Sequence, residues 1–91
     1  MTQGQALEGV KKLKASHRST KHDHYSVTCD CGTYLGGTKM SRKPASMQLG
    51  ASLESAMATQ LGIQTGLWRD IAGCTKGLRE YLTALGHQHG P

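Results

Sequence analysis

The longest hydrophobic repeat in the sequence lies near its end, where apolar residues recur at alternating spacings of four and three. These residues are Leu67, Ile71, Cys74, Leu78, Tyr81 and Leu85. Because this spacing aligns side chains along one face of a helix, it predicts a helix from 65 to 85. Gly86 follows directly and is a typical helix stop. Cys74 lies in the middle of the apolar face, so we expect its thiol to be buried in the core.

Two shorter patterns predict further helices. The first covers residues 3–15, where a capping-box sequence precedes three apolar residues at helical spacing. The second runs from Pro44 to about Gln60, because proline is tolerated in the first helical turn and Gly62 can end the helix. Between them, residues 24–38 predict a short β-hairpin, since strand-forming residues alternate on either side of an Asp-Cys-Gly turn.

Together these elements predict a small, helix-dominated α+β fold with an N-terminal helix, a short β-hairpin and two C-terminal helices. We expect a single small domain over residues 1–91. Its predicted parts are a basic N-terminal helix and arm at 1–23 with a polar connector at 15–23, the hairpin with its Cys-x-Cys turn at 24–38, a helical pair at 41–86 and a tail at 87–91.

Composition predicts a small apolar core. Only 36% of the 91 residues are hydrophobic and 4% are aromatic, phenylalanine is absent, and glycine occurs 12 times. Small domains of this kind usually depend on disulfides, a metal or a partner. The odd count of three cysteines argues against a disulfide scaffold. It favours a reducing compartment such as the cytoplasm, with a virion component as the alternative. No apolar run is long enough to cross a bilayer, so we expect no membrane partner.

Histidines and cysteines crowd around the predicted hairpin turn. Cys29 and Cys31 are separated by one residue, and His22 and His24 lie a few residues before them. Because zinc binds four nitrogen or sulfur ligands, we expect these four residues to hold one zinc ion. The alternative ligands are His17, His87 and His89. The Cys-x-Cys-Gly turn resembles half of a zinc-ribbon knuckle, without the usual Cys-x-x-Cys spacing or a second cysteine pair. Two other interpretations stay open: ordinary strand cysteines, or a disulfide to Cys74.

The formal net charge is +5, and the cations cluster in the N-terminal arm and one loop. Clustered cations favour a nucleic-acid partner, because phosphates bind them with release of counterions. The predicted nucleic-acid-binding residues are Lys11, Lys12, Lys14, Arg18, Lys39, Arg42 and Lys43. The alternative is that these side chains form an ordinary solvated surface without a binding partner.

A second face of the predicted last helix carries small residues, among them Gly66, Gly73 and Gly77. Glycine destabilises a helix interior, so close approach of another helix, within the chain or in a partner, would explain this face. Trp68 lies on the same helix and is a candidate interface residue. The alternative is a helix that merely tolerates glycine.

These features predict a small, basic, zinc-stabilised protein that binds nucleic acid or has a regulatory role. The alternative is a structural or adaptor subunit of a virion or ribonucleoprotein-like assembly, completed by helix packing with a protein partner or a second copy. We expect neither catalysis nor a small-molecule substrate, because the chain contains no nucleophile elbow, phosphate loop or zinc-protease motif.

Overall fold

The structure is a computed structural model that describes residues 1–87. It confirms the small α+β class and its N-terminal helix. The described elements are α1 (Gln3–Lys12), β1 (Ser16–Ser19), β2 (Asp23–Thr28), β3 (Tyr34–Met40), α2 (Ala51–Leu61), α3 (Thr65–Ala72) and α4 (Leu78–Leu85). The strands form an antiparallel sheet in the order β1-β2-β3. No helix within residues 1–87 is long and apolar enough to cross a membrane.

The capping box predicted for the first helix is present. The Thr2 hydroxyl accepts a hydrogen bond from the Gln5 amide at 3.2 Å, and the Gln5 side chain accepts one from the Thr2 amide at 2.8 Å. These two bonds satisfy amides that otherwise lack partners at a helix start. The apolar side chains of α1 are then directed into the core, as the spacing predicted, and include Ala6, Val10 and Leu13.

The polar stretch predicted as a connector contains a strand instead. Residues Ser16–Ser19 form β1, which pairs along one edge of β2 and is exposed at every position. The chain reverses into this strand at Lys14, whose φ is +54°. A fully exposed strand needs no apolar alternation, so the hydrophobic pattern carried no sign of it. The hairpin itself is confirmed, although β3 extends to Met40.

The single helix predicted from 65 to 85 is wrong. The chain forms α3 and α4 with a break between Gly73 and Gly77, and Cys74 within the break has a φ of +71°. Cys74 is exposed rather than buried. The two helices each place their own apolar residues toward the core, and those residues happen to stay in one continuous helical phase. The predicted helical pair at 41–86 therefore contains three helices.

The second helix begins later than predicted. Residues 41–50 form an irregular segment in which Gln48 bridges to Thr2, and α2 starts at Ala51. Its end agrees with the prediction, because Gly62 adopts the left-handed conformation with a φ of +82°.

The core lies between α1, the three later helices and one face of the sheet. Its largest fully buried side chains include Trp68, Tyr81 and Met57. The Tyr81 hydroxyl donates a hydrogen bond of 2.8 Å to the Leu61 carbonyl, which ties α4 to the end of α2. Gly36 of β3 permits this approach, since a Cβ there would lie 2.7 Å from the same carbonyl oxygen.

Candidate metal centre and basic sheet face

The Cys-x-Cys sequence forms the loop between β2 and β3. The Cys29 amide donates to the Thr33 carbonyl at 2.8 Å, and the Gly32 amide donates to the Cys29 carbonyl at 2.9 Å. Gly32 has a φ of +90°, a conformation that glycine adopts without the steric strain of a side chain. Together these features close a tight three-residue loop. The loop directs both cysteine sulfurs toward each other.

Cys29 and Cys31 are joined by a disulfide, and the two Cα atoms are 5.1 Å apart. The alternative of a disulfide to Cys74 is therefore excluded, and Cys74 has a free thiol. His87 contributes a third group, because its Nε2 atom lies 3.8 Å from the Cys31 sulfur. The ligand atoms of Cys29, Cys31 and His87 all lie within 4.8 Å of one another.

The end of α4 brings His87 to this loop. Gly86 adopts the left-handed conformation with a φ of +69°, and the His87 amide donates to the Leu82 carbonyl at 3.0 Å. This hydrogen-bond pattern fixes the chain direction immediately after the helix. The imidazole is thus held beside a loop that lies 56 residues away in sequence.

Two thiolates and one imidazole could hold a metal ion once the disulfide is reduced. Cys29 is buried and Cys31 is exposed. The group therefore lies at the surface, with one sulfur anchored in the fold.

The two histidines predicted as zinc ligands are not beside the cysteines. His24 is in β2 and His22 precedes the strand, whereas Cys29 follows its other end. A strand rises about 3.3 Å per residue, so five residues separate His24 from Cys29 by roughly 16 Å. Of the alternatives, His87 is close and His17 is engaged elsewhere. His89 lies outside the described residues.

His17 is held by Asp23 and Tyr25. Its Nε2 atom lies 3.0 Å from Asp23 Oδ1, and its ring stacks on Tyr25 with centroids 4.9 Å apart. The Arg42 Nε atom lies 3.5 Å from the same carboxylate oxygen. The hydrogen bond with His17, aided by the charge of Arg42, lowers the pKa of Asp23. Arg42 also donates to the Ser19 hydroxyl, so it joins β1 to the segment after β3.

A row of basic side chains crosses the sheet on the face that points away from α2. Arg18 pairs with His24 in the register of β1 and β2, and His24 pairs with Lys39 in that of β2 and β3. Direct cross-strand partners share a face, with Cβ atoms about 4.5–5.5 Å apart. The alternating positions Val27 and Thr38 are buried on the opposite face, against the core. The row therefore belongs to the exposed face.

Tyr34 joins this face because of a register shift between Val27 and Thr28. The tyrosine is 63% exposed, and a Cβ on Gly37 would lie 2.7 Å from its hydroxyl. The ring thus extends along the strand over a position that has no side chain. A shallow depression of about 200 Å³ forms beside it at the β3 edge of the sheet. Its lining combines residues of the exposed face with Thr38 and Gln60 on the α2 side, and consists of His24, Tyr25, Ser26, Tyr34, Gly37, Thr38, Lys39 and Gln60.

The seven predicted nucleic-acid-binding residues differ in whether their side chains have partners within residues 1–87, and their role stays a prediction. Lys12 donates to the Ile71 carbonyl at 2.9 Å, and Lys11 pairs with Glu8 at 3.5 Å on the exposed side of α1. Arg42 forms an ion pair with Asp23. The other four have no ion-pair partner in the part of the chain that the structure describes, and they are Lys14, Arg18, Lys39 and Lys43.

The predicted small-residue face does not exist as one helix surface, because the helix breaks inside it. Gly73 ends α3 and Gly77 precedes α4, and a Cβ on Gly66 or Gly77 would meet nothing within 4 Å among residues 1–87. Trp68 is fully buried in the core, so it does not form an exposed interface. Close approach to a glycine occurs at Gly9 of α1 instead. Contact with a partner chain stays a prediction.

Arg18 and Lys39 of the exposed row were predicted from the sequence as nucleic-acid-binding residues, whereas the position of Tyr34 on the same face was not predicted. The sequence pattern assigned Tyr34 to the returning strand, and a regular strand would have placed this side chain on the opposite face. The bulge reverses that orientation.

The sequence matches no protein-family model, and no curated protein or solved structure is significantly similar to it.

Proposed function

We propose that this protein binds single-stranded nucleic acid on the exposed face of its sheet. The observation that carries the proposal is the cross-strand row of Arg18, His24 and Lys39. Arg18 in β1 and Lys39 in β3 flank His24 of β2, so two positive charges lie on one face of the sheet, two strand spacings or about 9–10 Å apart. No carboxylate in residues 1–87 pairs with Arg18 or Lys39. A bound phosphate backbone would supply the missing negative charge.

Tyr34 favours a single strand over a duplex. Unpaired bases stack on exposed aromatic rings, whereas duplex bases are already stacked on each other. The depression beside Tyr34 offers room for a base, and Lys39 lines it. In this proposal Lys39 contacts the phosphate of a nucleotide whose base stacks on the ring. Lys43, which follows β3 and has no ion-pair partner among the described residues, would extend the basic surface past the end of the strand.

We also propose that the Cys29, Cys31 and His87 group holds zinc when the cysteines are reduced. The metal would join the hairpin loop to the end of α4, two segments otherwise far apart in sequence. Zinc is favoured over calcium or magnesium because thiolate and imidazole ligands suit it, whereas those ions prefer oxygen. Such a link would hold the sheet face in place relative to the helices.

Nucleic-acid binding is tested with labelled single-stranded RNA and DNA by fluorescence anisotropy. The double variant Arg18→Gln, Lys39→Gln is compared with Lys11→Gln, Lys76→Gln, which removes the same charge from exposed pairs elsewhere. If about three phosphates are neutralised, log K falls with log salt at a slope of about −2. We expect only the sheet-face variant to flatten this slope. If both variants lose affinity equally, the binding is unspecific attraction by net charge.

Stacking is tested separately at Tyr34. Tyr34→Ala should weaken binding by about 1–3 kcal/mol, whereas Tyr34→Phe keeps the ring and should bind nearly as well as the unchanged protein. Equal binding by all three proteins would contradict the stacking role while leaving the salt test unaffected.

The metal site is tested by titrating reduced protein with zinc and measuring bound metal by native mass spectrometry. Cys31→Ser and His87→Asn should each lose the bound ion. His22→Asn, His24→Asn is the matched control, because both imidazoles lie away from the cysteines. If His87→Asn retains zinc and the control variant loses it, His22 or His24 holds the metal in place of His87.

A further inference from the structure

We infer that Cys29 and Cys31 form a reversible thiol–disulfide exchange site whose co-reactant is a low-molecular-weight thiol or disulfide. The two sulfurs are bonded to each other, and the same sulfurs belong to the candidate metal group. A disulfide offers no thiolate to a metal, so the oxidised and metal-bound states exclude each other. The inference does not depend on nucleic-acid binding, and exchange itself does not require zinc.

The two cysteines differ in access. Cys29 is only 3% exposed and continues the buried side of β2, whereas Cys31 is exposed at the loop tip. Thiol–disulfide exchange requires in-line approach of one sulfur to another, so access decides which sulfur is attacked. An external thiol therefore reaches Cys31, and Cys29 is the sulfur that leaves.

The loop stabilises Cys29 as the leaving group. Its sulfur accepts a hydrogen bond of 2.9 Å from the Cys31 amide. Hydrogen bonds to a sulfur that gains negative charge favour its departure. The buried sulfur also stays next to Cys31 after the bond opens, because the backbone hydrogen bonds that close the loop, such as that from Cys29 to Thr33, do not involve sulfur.

The disulfide contributes little to holding the fold together. A cross-link stabilises a protein mainly by restricting the unfolded chain, and the restriction grows with the length of the closed loop. Here one residue separates the cysteines, and the strands on either side are already paired at Thr28 and Tyr34. The bond can therefore open and close without unfolding the hairpin, as a reversible site requires.

Reduction of the Cys29–Cys31 disulfide by an external thiol takes two steps. A thiolate RS⁻ attacks the Cys31 sulfur, forms a mixed disulfide R–S–S–Cys31 and releases Cys29 as a thiolate. A second RS⁻ attacks the R sulfur of the mixed disulfide, releasing Cys31 as a thiolate and forming RSSR. Two electrons pass from the two RS⁻ to the protein disulfide, and the released thiolates take up protons from water or bind a metal. Oxidation of the dithiol by RSSR is the reverse.

Exchange is tested in a Cys74→Ser background, which removes the third thiol. The protein is equilibrated with mixtures of reduced and oxidised glutathione in the presence of a chelator, then alkylated and weighed by mass spectrometry. We expect a reversible two-electron transition between dithiol and disulfide. A pair that stays oxidised at every ratio, or that never forms the bond, overturns the inference.

Single variants locate the reactive sulfur. With oxidised glutathione, Cys29→Ser should accumulate the mixed disulfide on Cys31, and Cys31→Ser should form roughly tenfold less because its remaining sulfur is buried. Equal labelling of both variants contradicts the assignment of Cys31. Circular dichroism of the reduced protein supplies a further check: an unfolded reduced form would make the disulfide structural and overturn reversibility.

Zinc added to glutathione mixtures prepared without the chelator separates this inference from the proposed metal site. Zinc should favour the dithiol form, and the oxidised protein should bind none. If exchange proceeds but zinc has no effect, the metal proposal fails and the exchange site stands. If the oxidised and reduced proteins bind zinc equally through these residues, mutual exclusion is wrong.

Discussion

The indole ring of Trp68 in α3 lies against Gly9 in α1, so closely that a Cβ on Gly9 would be 2.8 Å from the Cη2 atom. Trp68 is fully buried and is the largest side chain of the core. The absence of a side chain on Gly9 lets the two helices pack around this ring. Helix propensity lost at the glycine is thus offset by burial of an entire indole.

Gly9→Ala should therefore destabilise the protein although alanine is the better helix former. Overpacking a filled core costs about 1–3 kcal/mol, which exceeds the gain of about 1 kcal/mol in helix propensity. Gly66→Ala in α3 is the matched control, since nothing lies within 4 Å of the added methyl group among the described residues. Urea unfolding should show loss of stability at Gly9 and none at Gly66. Stabilisation by Gly9→Ala would contradict the close contact.

The fold was predictable from sequence where a local signal and the tertiary contacts agree. The capping box at Thr2 and the left-handed stop at Gly62 are such places. The break near Cys74 was not predictable from periodicity, because the apolar residues of α3 and α4 remain in phase across it. Of the candidate metal group, the two cysteines were predicted, whereas selection of His87 depends on how α4 docks, a long-range contact without a local signature.

Alkaline unfolding should depend on Tyr81. Burial raises the pKa of its hydroxyl to about 12, with a smaller contribution from Tyr34. Because the usual tyrosine pKa is about 10, the buried neutral hydroxyl stabilises the fold below about pH 10, and this contribution is lost as the pH rises toward 12. The free energy of unfolding should therefore fall as the pH rises through this range.

Tyr81→Phe isolates that contribution. At neutral pH the variant should be less stable by about 1–2 kcal/mol, because the buried Leu61 carbonyl loses its donor. Above pH 10 the difference between the two proteins should shrink. A difference that is constant up to pH 12 would mean that Tyr81 titrates with its ordinary pKa.

Acid stability should depend on Glu54, a buried carboxylate. Hydrogen bonds from the Met1 amino group and from Arg69, each 2.6 Å long, lower its pKa below the ordinary glutamate value. The ionised form therefore stabilises the fold above about pH 4.3, and this contribution is lost as the pH falls through the lowered pKa. Glu54→Gln should weaken the protein at pH 7 and lose its effect near pH 2.

The matched control is Glu8→Gln, which removes an exposed carboxylate that pairs with Lys11. Exposed pairs contribute about 0–1 kcal/mol, so this variant should unfold nearly like the unchanged protein at both pH values. Thermal unfolding from pH 2 to pH 7 measures both variants. Identical pH profiles for them would show that Glu54 is not the acid-sensitive group.

Variants at Lys12 and Lys39 should distinguish an effect on stability from an effect on the proposed nucleic-acid binding. The Lys12 ammonium donates to the Ile71 carbonyl at the end of α3, where a cation also interacts favourably with the helix dipole. Lys12→Gln should therefore lower the free energy of unfolding by about 0.5–1.5 kcal/mol. Lys39 is exposed and unpaired within residues 1–87, so Lys39→Gln should leave unfolding unchanged and weaken binding to single strands.

Lys14→Gln completes the comparison, because Lys14 is exposed and also lacks an ion-pair partner in the described chain, yet lies outside the sheet. Anisotropy and urea unfolding are measured on all three variants at the same salt concentration. If nucleic acid binds the sheet face, the loss of affinity is largest for Lys39→Gln, and the loss of stability is confined to Lys12→Gln. A larger loss of affinity for Lys14→Gln would move the binding surface to the end of α1, because each variant removes one charge and only position differs.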